Sequence, residues 1–357
     1  MPVGLANSLM SELDRYDYVL PRQLIAQSQA PHRADARLLV ADRIADSVSH
    51  KHVRDLPELL RPGDCLVLND TRVVPARLVG YRTETGGRWE GLFLESTEEG
   101  VWLILSKCRG KLTPGETVTL VNAQGHEDVR LQMAANQLGG VWVARPESDE
   151  ETFSLLDRLG RVPLPPYIRK GEMLDSDREH YQTVYARHPG SVAAPTAGLH
   201  FTRPLLERLE KTGVILCWLT LHVGPDTFRP ISSESLSEHR MHSEWTHLGQ
   251  DSVDKVLACR QRGGRVVAVG TTSARVLETA ALDGTLKPFT GKTDLFIRPP
   301  FAFRAVDALL TNFHLPRTTL LVLVRTFGGD ELIGRAYEEA IREEYRFYSY
   351  GDAMLIL

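Results

Sequence analysis

The run Ser191-Val-Ala-Ala-Pro-Thr-Ala-Gly-Leu-His-Phe-Thr202 gathers small residues, one proline and one glycine around a single imidazole, and follows neither the strand nor the helix period. It leads into Thr202-Arg-Pro-Leu-Leu-Glu-Arg-Leu-Glu-Lys211, which reads as a helix with Thr202 as N-cap, Pro204 in the first turn and Gly213 as the stop. A loop that delivers His200, with Thr196 and Gly198, to a helix N-terminus suits a polar ligand. A tight buried connection would use the same small residues. Two further histidines occupy comparable strand or loop ends: His222 in Leu221-His-Val-Gly224 and His314 in Asn312-Phe-His-Leu-Pro316. An imidazole titrating near neutrality moves protons in either direction. One such residue alone would be a hydrogen-bonded structural histidine; three in like positions point to a shared pocket.

Val269-Gly-Thr-Thr-Ser-Ala-Arg-Val-Leu-Glu278 reads as a strand, a glycine turn and a hydroxyl-rich helix start. Such a junction, here Gly270, Thr271 and Thr272 with Arg275 a turn further on, presents N–H groups to a carboxylate, phosphate or ribose hydroxyl. The plainer reading is that Thr272 or Ser273 caps the helix. The run is neither a phosphate-binding P-loop nor a dinucleotide fingerprint. Leu68-Asn-Asp-Thr-Arg-Val-Val-Pro-Ala-Arg77 sets Asn69, Asp70 and Arg72, with Arg77 beyond them, at the end of a strand. A carboxylate beside guanidinium groups there makes a recognition pair, although Asn and Asp also turn a chain unaided. His239 and His242 could share a helical face, but no complete ligand set accompanies them and no metal is expected.

Basic residues gather at Lys107, Arg109 and Lys111, and again at Arg169, Lys170, Arg178, Arg187 and His188. Tyr345-Arg-Phe-Tyr-Ser-Tyr350 interleaves aromatics with a cation, a texture of base-stacking surfaces, yet a core-anchoring tail accounts for it better.

These residues need a frame, and the rest of the sequence supplies one. A chain of 357 residues, 42% hydrophobic and 25% charged, can bury a large core and is expected to form two domains. Short apolar runs at about ten-residue spacing, from Cys65-Leu-Val-Leu68 to Val141-Trp-Val143, are broken by Gly, Pro and Asp and suggest a small β-barrel over 63–162. The flanks, 1–62 and 163–357, alternate strands and helices as an α/β layer does. Strands are expected at Val214–Leu221, Arg265–Gly270, Ala308–Thr311 and Thr319–Val324, and helices at Thr272–Leu282 and Asp330–Arg342. The expected fold is therefore an α/β domain with an inserted small β-barrel domain. No run of about 18 apolar residues occurs. Glu12, Asp14 and Asp17 come early and no apolar signal core precedes them, so a cytoplasmic protein is expected. Four scattered cysteines, Cys65, Cys108, Cys217 and Cys259, fit reduced thiols. A net charge of −4 argues against a general nucleic-acid binder, so any RNA partner must be held by local patches.

Taken together, these segments resemble the S-adenosylmethionine:tRNA ribosyltransferase-isomerases of queuosine biosynthesis. The matching runs extend nearly end to end: Leu20-Pro-Arg-Gln-Leu-Ile-Ala26, Gly63 to Leu78, Leu164-Pro-Pro-Tyr-Ile168, Tyr181-Gln-Thr-Val-Tyr185, Ala194-Pro-Thr-Ala-Gly-Leu-His-Phe201, Leu221-His-Val-Gly224, Ala268-Val-Gly-Thr-Thr272, Thr311-Asn-Phe-His-Leu-Pro316 and Tyr345 to Asp352. Departures occur at Gly224-Pro-Asp-Thr-Phe228, where the family reads Gly-x-Gly-Thr-Phe, at Pro299-Pro-Phe301, where it has Pro-Gly and an aromatic, and at Arg325-Thr-Phe-Gly-Gly329, where it has a small-residue segment. Asp226 tolerates a left-handed backbone, whereas Pro300 cannot take positive φ and its loop must differ.

The resemblance implies an α/β domain with an inserted barrel and a specific reaction. The ribosyl part of S-adenosylmethionine would be transferred and rearranged onto 7-aminomethyl-7-deazaguanine at the tRNA wobble position, giving epoxyqueuosine-tRNA, adenine and methionine. S-adenosylmethionine is then a consumed substrate and no separate cofactor is expected; a monomer is. Such chemistry requires a base beside the sulfonium and an acid for adenine, worth about 10²–10⁴-fold for each positioned group. Residue chemistry makes His200 and His222 the acid–base pair and lets Asp70 orient ribose or adenine. Asn69, Arg72, Thr196, Gly198, Gly270, Thr271, Thr272, Arg275 and His314 are the expected substrate contacts. Lys107, Arg109, Lys111, Arg169, Lys170 and Arg187 are the expected RNA contacts. Two other readings are an enzyme acting on a small nucleoside without RNA and a non-catalytic tRNA-binding protein.

Overall fold

A computed structural model describes residues 12–225, 231 and 235–357. Along the chain come β1 (Arg37–Asp42), β2 (Ser47–His52), the single turn α1 (Leu56–Leu59), β3 (Cys65–Asn69) and β4 (Thr71–Val73). Then follow β5 (Arg77–Arg82), β6 (Arg88–Ser96), β7 (Trp102–Cys108), β8 (Thr117–Val121), β9 (Glu127–Asn136) and β10 (Val141–Pro146). Next are α2 (Thr152–Leu159), α3 (Asp177–His180), β11 (His188–Ser191), α4 (Arg203–Lys211), β12 (Ile215–Leu221) and β13 (Glu244–Leu248). The remainder is α5 (Gln250–Gln261), β14 (Val266–Val269), α6 (Gly270–Ala280), β15 (Phe289–Thr293), β16 (Ala308–Asn312), α7 (Thr319–Gly328), α8 (Asp330–Arg342) and β17 (Ala353–Ile356).

The chain divides into two units: Met1–Asn69, Pro195–Leu221 and Asp226–Leu357 form one, and Asp70–Ala194 with His222–Pro225 form the other. The first is an α/β layer. Its nine-stranded sheet runs β15-β13-β12-β3-β14-β16-β17-β1-β2. At its centre β12, β3, β14 and β16 are parallel, with Leu66 of β3 opposite Leu216 on one side and Val267 on the other. All five residues of β3 are buried, as expected of a parallel strand covered on both faces. This corrects the expectation that Cys65–Leu68 belongs to the barrel: an unbroken apolar run has no wet face, and a small barrel strand needs one. The observed bounds therefore differ from the expected 63–162, the second unit beginning at Asp70, running to Ala194 and taking up the four residues His222–Pro225.

Local signals set the helices. Thr202 caps α4 by accepting from the Leu205 N–H at 3.3 Å, and Gly213 turns out of it at φ +87°. Thr319–Val324, expected as a strand, is instead the first part of α7. Thr318 accepts from the Leu321 N–H at 3.3 Å, and Gly329 at φ +85° separates α7 from α8. An apolar run buried all round carries no period to tell helix from strand, so packing decided it.

The second unit is built on a closed antiparallel barrel, β10-β7-β6-β5-β8-β9. Alternation along β9 buries Val129, Leu131 and Met133 and exposes the residues between them. Trp89, Trp102, Trp142 and Phe93 fill the interior, and Leu155, Leu156 and Leu159 of α2 join the same core. Beside the barrel, β4 and β11 form a short parallel pair.

Candidate active site

In the first unit the small-residue segment forms one 3-10 turn, Thr196–His200. Asn312, which closes β16, binds this turn. Its Nδ2 donates to the Tyr348 carbonyl at 3.2 Å and faces His200 Nε2 at 3.2 Å, while its Oδ1 accepts from the Thr196 hydroxyl at 2.8 Å. A carbonyl only accepts, so the atom facing Tyr348 must be the amide nitrogen, and the same nitrogen donates to Nε2. The His200 proton then resides on Nδ1. Burial, with Arg346 and Arg33 adding to it, pulls His200 down from 6.5 to about 3. His200 is therefore neutral near pH 7, with its basic nitrogen engaged and an N–H to offer.

Beside this turn α6 begins. Gly270, at φ +87°, lets the chain pass from β14 straight into the helix; a Cβ there would lie 3.6 Å from Cβ of Ala197. No side chain caps the N-terminus of α6, because Ser273 donates back to the Val269 carbonyl at 2.8 Å and Thr272 Oγ1 accepts from Asn69 Nδ2 at 3.3 Å. The Asn69 amide also exchanges two 3.1 Å bonds with the Leu221 backbone, so it splices the ends of β3 and β12 and places Thr272. Thr196, Gly198, His200, Gly270, Thr271 and Thr272 are thus brought together in one unit, around helix amides suited to an anion.

Two expected contacts have other duties. Arg275 is buried and paired with Glu244, its Nε and Nη2 lacking partners among the described residues, so its charge is committed inside the fold. His314 is buried with Nε2 on the Thr311 hydroxyl at 2.7 Å. Its N–H donates to the Tyr337 hydroxyl at 2.9 Å and its carbonyl accepts from Tyr18. Burial alone pulls His314 down to about 3, and these bonds make it a clasp on the turn after β16.

The second unit holds a separate cluster. Thr71 Oγ1 and His222 Nδ1 are hydrogen-bonded at 2.8 Å. His188 Nε2 is 3.7 Å from Oδ2 of the buried Asp70, whose carbonyl accepts from the Arg187 N–H at 2.8 Å. Burial and then His188 pull His222 down to about 4, so it too is neutral near pH 7. Arg72 is exposed on β4. Arg77, expected to act beside it, is bonded to the Gly171 carbonyl and to Glu90 at 3.2 Å and belongs to the barrel wall. His200 and His222 fall in different units, each with its own set of partners.

A family model described as "Queuosine biosynthesis protein" matches residues 13–356. The chain belongs to the queuosine biosynthesis protein family. Among curated members, the S-adenosylmethionine:tRNA ribosyltransferase-isomerase of Symbiobacterium thermophilum is 49% identical over 97% of this chain and 99% of its own length. The enzyme of the same name from Acetivibrio thermocellus is 48% identical over 95% and 98%. The crystal structure of S-adenosylmethionine tRNA ribosyltransferase from Thermotoga maritima matches with a TM-score of 0.55 at 36% identity, covering 96% of this chain and all of that one.

In this member of the queuosine biosynthesis family the basic candidates divide by exposure. Lys107, Arg109, Lys111, Lys170 and Arg187 are exposed, whereas Arg169 is half-buried against the buried Asp177. Tyr345, Phe347, Tyr348 and Tyr350 are buried, as a core tail requires, and the Phe347 ring packs on Phe313 at 5.0 Å. His239 and His242 lie outside any helix or strand, in the connection before β13, and share no helical face. Asp226 and Phe228 lie outside the described residues; the Pro299–Pro300 bond is cis. The sequence names His188 only among the basic residues and does not single out Asn312, Thr71 or Gly190. One signal was available: Cys65-Leu-Val-Leu-Asn69 and Ala308-Leu-Leu-Thr-Asn312 are both apolar strands ending in Asn. Among the described residues no helix is long and apolar enough to cross a membrane.

Proposed function

We infer that the chain is an S-adenosylmethionine:tRNA ribosyltransferase-isomerase, the enzyme that moves the ribosyl group of S-adenosylmethionine to 7-aminomethyl-7-deazaguanine in tRNA and rearranges it to epoxyqueuosine. Adenine and methionine are the other products. The observation that carries this reading is the 49% identity to an enzyme of that name across almost the whole of both chains. Purified protein incubated with S-adenosylmethionine and tRNA bearing the aminomethyl base should release adenine and methionine in equal amounts, with the modified nucleoside found by mass spectrometry after digestion. Adenine released equally well with the free base would favour a small-nucleoside enzyme. No adenine at all would leave a tRNA-binding protein.

We assign the proton-moving step to His222. A neutral imidazole is the form in which a base must stand, and a sulfonium acidifies the carbon bonded to it. The proton leaves the ribosyl carbon as imidazolium forms. Methionine departs as a neutral thioether that keeps the C–S bonding pair, the base's amine gives up a proton as it forms the new C–N bond, and departing adenine takes up that proton. Asp70, 3.7 Å from His188, supplies the negative charge on which an imidazolium in that cluster would settle. Taken by itself, the first unit offers the uncapped amides at Gly270–Thr272, which suit an anion, and the Nδ1–H of His200, which suits a hydrogen-bond acceptor. The exposed Lys107, Arg109, Lys111, Lys170 and Arg187 are assigned to tRNA phosphates, which give sequence-independent grip.

A further inference from the structure

We propose that Thr71 and Gly190 are positioning residues for His222: the hydroxyl fixes the ring's Nδ1, and the missing side chain at 190 makes the slot in which the ring lies. The proposal deepens the assignment of His222 above and rests on it for its catalytic consequence, though its geometry stands alone.

Every contact involved belongs to the second unit. The parallel pairing of β4 with β11 aligns His188 with Thr71, Pro189 with Arg72, and then Ser191 with Val73. The register shift leaves Gly190 as the extra residue, at φ +146°. That bulge turns the Gly190 Cα toward His222. A Cβ built there would lie 2.8 Å from Nε2 and 2.9 Å from both Cδ2 and Cε1 of the imidazole. Real carbons do not approach so closely, and all three atoms belong to one rigid ring, so alanine at 190 would have to displace the ring as a body. At the ring's other nitrogen, Thr71 is fully buried and its hydroxyl lies 2.8 Å away.

The backbone around the histidine is pinned as well. The Val223 N–H donates to Ser191 Oγ at 2.9 Å, and the Val192 N–H donates to the Val223 carbonyl at 3.0 Å. Ser191 Oγ in turn donates to the Ala193 carbonyl at 2.7 Å. Strand β11 and Val192 just after it therefore hold the backbone of Val223, next to the histidine, while β11 meets the ring face through Gly190 and holds Thr71 through the strand pairing. A bulge serving only to turn the chain would not need its glycine beneath an imidazole. Bulges that re-aim a side chain are found beside active sites.

The test is a set of variants read in two ways. With wild-type enzyme releasing adenine, Thr71→Val should lower kcat by about 10–100-fold while KM for either substrate stays near wild type, since a small misplacement of a reacting group costs about that much. Thr71→Ser should restore most of kcat. Gly190→Ala should lower kcat per folded molecule, and combined with His222→Ala it should cost nothing beyond the single His222→Ala change. Independently of activity, the ¹⁵N resonances of His222, assigned by their loss in His222→Ala, should move in Thr71→Val and Gly190→Ala. The proposal is overturned if both variants leave kcat and the His222 resonances unchanged, or if Gly190→Ala costs as much without His222 as with it. A wild-type protein that releases no adenine would instead remove the functional reading, while the resonance shifts would still decide the geometry.

Discussion

The amide nitrogen of Asn312 lies 3.2 Å from Nε2 of His200 and also 3.2 Å from the carbonyl of Tyr348, so one side chain fixes both the tautomer of a buried imidazole and the turn that carries it. Asn312→Ala takes a hydrogen-bond partner from the Thr196 hydroxyl and from His200 Nε2, while the Tyr348 carbonyl keeps the Gly351 N–H at 2.9 Å. It should cost about 1–3 kcal/mol, read from denaturant midpoints. Asn312→Asp should do something different: a carboxylate facing Nε2 favours the imidazolium, so His200 should titrate well above its value of about 3 in an NMR pH series.

Acid should destabilise the folded chain through its buried histidines. His200 and His314 are both pulled from 6.5 to about 3. Below 6.5 the unfolded chain takes up protons that the folded one refuses. Stability should therefore fall as pH drops from 6.5 toward 3, by about 1.4 kcal/mol per pH unit for each histidine, and be level on this account above 6.5. His314→Gln should make the dependence shallower by one histidine's share between pH 6 and pH 4; an unchanged slope would mean that His314 charges freely in the fold.

Arg275 and Glu244 should behave as a buried pair and not as substrate ligands. Their side chains are 3% and 5% exposed. Glu244→Ala strands a buried guanidinium and should cost about 3–5 kcal/mol, while Arg275→Met with Glu244→Leu should recover most of it. The double variant should keep the wild-type KM for S-adenosylmethionine. A rise in KM at undiminished stability would return Arg275 to the binding site.

Binding of tRNA should weaken with salt, and single neutral substitutions at Lys107, Arg109 or Lys111 should each flatten the log–log slope by about 0.7–0.9 where that charge meets a phosphate. Arg169→Ala should differ. Its guanidinium holds Asp177, which is 2% exposed, so the loss should appear in thermal stability with the salt slope intact.

How far the chain could be read without coordinates varied with the kind of signal. Periodicity and caps are local, and they sufficed for α4 behind Thr202, for α8 over Asp330–Arg342 and for the alternating strands of the barrel. The same logic failed at Thr319–Val324 and misplaced Cys65–Leu68, because a fully buried run is apolar on every side whichever element it forms and whichever sheet it joins. The site divided likewise. His200, His222, Asp70 and the Gly270 turn stood out by residue type, since imidazoles and hydroxyls among small residues are conspicuous in one dimension. Which nitrogen of His200 is basic, which charge Arg275 answers and why residue 190 has no side chain depend on partners 30 to more than 100 positions away in the chain. Those distances are set when strands pair and helices pack. The residue types of the chain thus determined which chemistry its side chains can offer, and the tertiary fold decided which of their atoms are engaged by partners.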